Sequence, residues 1–126
     1  MSIPSNPQAL TLTQFWRWLK LHYNCILRAG GDGCVVYDQP YLHWHLLEEE
    51  EDLLVVQVIR GKDLITELII DQRQVMYVEA VPQEDANVLF DLVGSGEGEG
   101  EPISLINFLM SHGYDDESQD THRWTH

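Results

Sequence analysis

Between Cys34 and Val81 the chain breaks into short β-rich runs separated by turn chemistry, and this stretch restricts the fold more than any other. The runs are Cys34 to Asp38, Tyr41 to Glu48, Leu53 to Arg60, Asp63 to Ile70 and Val75 to Val81. The breaks are Gln39-Pro40, the acidic run Glu49 to Asp52, Gly61-Lys62 and Asp71 to Gln74. Strands joined so closely pair as antiparallel neighbours, and Arg60-Gly61-Lys62-Asp63 is the clearest hairpin signal. In the third run Leu54, Val56 and Val58 point one way and Val55, Gln57 and Ile59 the other, so both faces are largely apolar. A sheet of this kind has to be covered on both sides.

Upstream, Thr11 or Thr13 can cap a helix whose apolar stripe is Leu12, Phe15, Trp16, Leu19, Tyr23, Ile26 and Leu27, at helical spacings of three and four. Gly30-Gly31 reads as its stop. Downstream, Pro82 ends the last strand and Glu84 to Val93 reads as a short amphipathic helix, with acids in the first turn and Gly94 as its close. Gly94 to Glu101 alternates glycine with serine or glutamate and reads as a flexible acidic linker. Pro102 then opens a second short helix over Ile103 to Ser111, ended by Gly113. The reading is therefore an α+β domain over residues 1–113: an N-terminal amphipathic helix packed on an antiparallel five-stranded meander sheet, with short C-terminal helices. Residues 114–126 read as an acidic, disordered tail.

The net charge is −14 on 126 residues, and it is unevenly placed. Met1 to Leu47 sums to +1, Glu48 to Gln83 to −6 and Glu84 to His126 to −9. With only seven lysines and arginines the chain is poorly equipped to displace counterions from a phosphate backbone or an anionic leaflet, which argues against direct nucleic-acid or membrane binding. An acidic surface instead steers basic partners toward itself. The start of the chain has no basic region followed by an apolar run, so a cytoplasmic location is the expectation. Cys25 and Cys34 lack the close spacing of zinc or redox pairs and read as reduced, half-buried thiols.

Two residues apart on one strand, His43 and His45 project from the same face, opposite Leu42, Trp44 and Leu46, and both imidazoles could reach one metal ion. With Glu49 or Glu50 downstream, His43-Trp44-His45 resembles the His-x-His and Glu of cupin-type metal sites. The resemblance covers fewer than about ten residues: Tyr37 stands where that motif has glycine, and the next histidine after His45 is His112. His122 and His126 would share a face only on a helix. Glu48, Glu49, Glu50, Glu51 and Asp52 lack the spacing and central glycine of a calcium loop. They read as a solvated hairpin turn or a partner contact, and Phe108 and Leu109, on the tethered helix, as a second partner contact. No serine or cysteine stands in a recognisable nucleophile motif, and no cofactor is implied.

These observations point to a non-catalytic acidic module of adaptor, chaperone, inhibitor or immunity type, which engages another protein, possibly a basic one, and forms a homodimer to cover its sheet. One alternative is a small metal-binding protein or metal-dependent enzyme using His43 and His45. Another is a nucleic-acid mimic that occupies a DNA- or RNA-binding protein.

Overall fold

The computed structural model describes residues 7–31, 33–95 and 101–114. The elements run β1 (Gln8–Leu10), α1 (Leu12–Leu21), a 3-10 turn (Tyr23–Cys25), β2 (Ile26–Gly31), β3 (Cys34–Tyr37), β4 (Leu42–Glu49), β5 (Leu53–Arg60), β6 (Asp63–Asp71), β7 (Val75–Pro82), β8 (Val88–Ser95) and β9 (Pro102–Met110). Among the described residues the architecture is α+β with one α-helix and nine strands, all pairing antiparallel, in two sheets.

The strands expected between Cys34 and Val81 stand within two residues of their expected limits, but they do not form a five-stranded meander. β4, β5 and β6 make a sheet of their own, whereas β3 and β7 belong to a six-stranded sheet ordered β1-β7-β8-β9-β2-β3. The chain changes sheet at two places. At Asp38 to Tyr41 the Trp44 indole donates to Asp38 (3.0 Å), and at Gln72 to Gln74 the Gln72 amide donates to the Asp52 carbonyl (2.8 Å).

The expected C-terminal helices are strands. Glu84 to Val93 contains the β7–β8 turn followed by most of β8, and Ile103 to Ser111 is almost wholly β9, which lies in the sheet between β8 and β2. Of the expected linker, Gly94 and Ser95 end β8 and Glu101 directly precedes β9; residues 96–100 lie outside the described residues, as do 115–126 of the expected tail with His122 and His126.

The helix is also shorter than its stripe suggests. Thr11 and Gln14 form a reciprocal capping box at its start. At the other end the His22 amide turns to the Leu19 carbonyl, and the His22 ring takes over the carbonyl its amide would have used: Nδ1–H donates to Trp18 O (2.8 Å). Ile26 and Leu27, in phase with the helix by spacing, begin β2 instead.

The inner faces of both sheets and the helix share one core. Phe15, Trp18 and Leu19 of α1 are essentially fully buried. The Phe15 ring stacks on Phe90 of β8 (centroids 5.0 Å) and tilts against Phe108 of β9 (5.6 Å). Trp44, Leu54, Val56, Val58, Leu68 and Ile70 close the core from the three-stranded sheet. No helix among the described residues is long and apolar enough to cross a membrane.

Candidate functional site

β4 carries four of the residues singled out in the sequence, His43, His45, Glu48 and Glu49. Its alternation is set by Trp44, 5% exposed, which drives Leu42 and Leu46 toward the core and turns His43 and His45 outward into solvent. The registers His43↔Ile59 and His45↔Gln57 place neither imidazole opposite a carboxylate of β5. Among the described residues no group of three or more His, Cys, Asp or Glu side chains could hold a metal ion.

The five acids at the end of β4 are not equivalent. Glu48 is held from two sides, accepting from the Trp16 indole and from the Lys20 ammonium, each at 2.7 Å. These bonds, that of Lys20 foremost, keep its carboxyl below the ordinary carboxylate range. Asp52 lies 3.8 Å from Arg73, which also forms a closer pair with Asp71 (3.0 Å). Glu49, Glu50 and Glu51 are exposed and have no cationic partner among the described residues. Glu50 adopts a left-handed φ of 55°. The structure thus separates two tethered carboxylates from three free ones at a hairpin tip.

Beside that tip lies the outer face of the three-stranded sheet. The register aligns Leu47, Val55 and Ile69 in one row and His45, Gln57 and Glu67 in the next, where Gln57 Nε2 donates to Glu67 (2.7 Å). Val55 is covered by its neighbours, while Ile69 and Leu64 are more than half exposed. A bulge between the Val58↔Thr66 and Ile59↔Leu64 pairs leaves Ile65 unpaired. The face is a band of aliphatic side chains bordered by the two histidines and the free carboxylates.

Phe108 and Leu109, expected together on a mobile helix, point in opposite directions from β9. Phe108 is fully buried against Phe15 and is unavailable to a partner of the folded chain. Leu109 faces outward, half-buried, between Leu89 and Arg28 on the outer side of the six-stranded sheet.

One constellation escaped the sequence altogether. Cys25 and His112, 87 residues apart, meet where the Ser111 amide donates to the Cys25 carbonyl, and the thiol sulfur lies 3.2 Å from His112 Nε2. The other ring nitrogen, Nδ1, is 3.1 Å from the Gly113 carbonyl, which can only accept, so Nδ1 carries the hydrogen and Nε2 is left to accept from the thiol. The His22 ring lies edge-on to His112 (5.1 Å) and stacks on Trp18 (4.6 Å). Local spacing gave no hint of this pair, because only the β2–β9 pairing brings its two halves together. Comparison with protein-family models, with curated proteins and with solved structures found no match to this chain.

Proposed function

We propose that this protein works by binding another protein, without catalysis, through the hairpin tip of β4 and β5 and the sheet surface beside it. The reading is supported above all by the three carboxylates of Glu49, Glu50 and Glu51, which among the described residues are left without counter-charges next to exposed aliphatic side chains, in a chain of net charge −14. Free charge draws a basic partner in and raises its association rate, and the aliphatic band supplies the dry contact that holds it. Adaptor, chaperone, inhibitor and immunity roles all fall within this proposal.

The test is capture on the immobilised full chain in parallel with the triple variant E49Q/E50Q/E51Q. A basic protein held by the native chain, lost from the variant and released near ~0.5 M salt supports the reading. A protein held equally by both overturns the role of the acids.

Exposed Leu64, Ile65 and Ile69 also favour a second reading, in which two copies of the chain cover each other's aliphatic band as the expected homodimer. Light scattering after size-exclusion chromatography separates the readings. A dimer persisting at ~1 M salt, with the partner excluded from it, supports self-association.

A further inference from the structure

β4 is bonded to β5 on one side and, among the described residues, has no strand on the other. The other free edges are poor templates for strand addition. β1 has three residues and β3 four. The free edge of β6 is interrupted by the bulge at Ile65, has Glu67 at its middle and Asp63 and Asp71 at its ends, which are the usual devices that block addition. β4 lacks them. Its register with β5 runs unshifted from Leu42↔Arg60 to Glu49↔Leu53, and Leu42 to Leu47 contains no carboxylate, lysine, arginine or proline. Beside this edge runs a groove of about 490 Å³ lined by every residue from Leu42 to Leu47. Lining by both side-chain parities means that the strand's edge, and not one of its faces, forms the wall. Lys20, Tyr23 and Asn24 stand among the remaining lining residues.

We infer that this groove receives an extended segment of a partner protein, which adds to β4 as a fourth strand of the sheet. The inference rests on the protein-binding reading above and gives its mode. Main-chain hydrogen bonds to β4 supply the affinity, and alternate side chains of the segment lie over Leu42 and Leu46. β4 runs directly into Glu49, Glu50 and Glu51, so one end of the segment lies against free carboxylates and carries lysine or arginine. Charge disfavours a second copy in this position, since it would bring another chain of −14 against the same tip.

The probe is a fluorescein-labelled peptide of alternating valine and threonine with lysines at both ends, about ten residues long to match a strand. Its binding to the full chain is read by fluorescence anisotropy. Two N-methylated versions, blocked at alternate residues in opposite frames, differ only in which edge of the peptide keeps its donors. The expected result is that one frame weakens binding by at least about thirtyfold, through several lost hydrogen bonds, and the other by less than about threefold. Asn24→Trp, an exposed position whose larger side chain fills the groove, should abolish binding with an unchanged circular dichroism spectrum.

Equal effects of the two frames, or full binding by the Asn24→Trp variant, overturn strand addition. If the peptide is then still lost from E49Q/E50Q/E51Q, the protein-binding reading survives without this mode. Absence of any binding up to about 1 mM peptide overturns the inference, and the capture experiment decides the broader reading separately. A dimer that Asn24→Trp dissociates would assign the edge to a second copy and also overturn it.

Discussion

Replacing Ala86 with glycine should stabilise the protein. In the turn between β7 and β8, Asp85 and Ala86 hold left-handed φ values of 63° and 67°. The Asn87 amide donates to the Glu84 carbonyl (3.2 Å) and the Gln83 amide to the Asn87 carbonyl (2.7 Å). Two left-handed residues inside such a closure make a type I′ turn, whose twist suits a hairpin and whose second position strongly favours glycine. A Cβ in the left-handed region costs roughly 1–2 kcal/mol, less for aspartate, whose side chain can bond locally. Glycine removes that cost but widens the unfolded ensemble, returning about 0.4–1 kcal/mol. Ala86 is exposed, so no packing is lost. The net gain is about 0.5–1 kcal/mol, a rise of roughly 0.3–0.5 M in the urea midpoint at a slope of about 2 kcal/mol/M. Buried Trp16, Trp18 and Trp44 report the transition by fluorescence. Asp85→Gly should gain less, and Ala86→Val should lose stability. A midpoint unchanged or lowered by Ala86→Gly would refute the turn assignment.

Phe108→Ala empties the space against Phe15 and should cost about 3–5 kcal/mol, whereas Leu109→Ala, on the outer face, should cost less than about 2 kcal/mol; chemical denaturation of both variants separates a core strand from a mobile element. Glu48→Gln removes a carboxylate whose folded-state pKa is lowered, chiefly by Lys20. Its contribution is therefore present above the ordinary carboxylate range and is lost as pH falls through the lowered value. The stability gap between native and variant, screened by solvent to below about 1 kcal/mol, should be constant above the ordinary carboxylate range and narrow as pH falls below it in urea titrations. With His112 Nε2 only 3.2 Å from its sulfur, Cys25 should react with iodoacetamide several times faster than Cys34, and His112→Ala should erase the difference; peptide mass mapping after timed labelling reads both.

Turn chemistry was legible where it is local. Arg60-Gly61-Lys62-Asp63 closes as a hairpin with Gly61 at a φ of 64° and Arg60 opposite Asp63. The alternation that turns His43 and His45 outward was equally plain. The sequence misled where glycine serves a tertiary purpose. Gly30 and Gly31 resemble a helix stop, yet a Cβ on Gly30 would run into the Cys34 carbonyl of β3, and one on Gly31 would come within 2.7 Å of the Leu105 carbonyl. Gly94 resembles a helix end, yet its missing Cβ makes room for the Gln74 carbonyl and Leu105. β8 and β9 were misread because short runs with apolar residues on both faces fit a helix and a strand equally well, and only their neighbours decide between them. The division into two sheets was hidden for the same reason, and so was the meeting of Cys25 with His112.

The order of strands in the six-stranded sheet dictates how the protein must be made. β4, β5 and β6 pair only with sequence neighbours and can assemble as soon as they are synthesised. The larger sheet exists until late as two fragments, β1-β7-β8 and β2-β3, which only β9 can join. Once β8 has been made and until β9 follows it, a growing chain therefore has two edges, those of β8 and β2, open to anything that pairs with strands. A premature stop between the end of β8 and Pro102 would release both edges for good and leave a product suited to aggregation or to capture by chaperones.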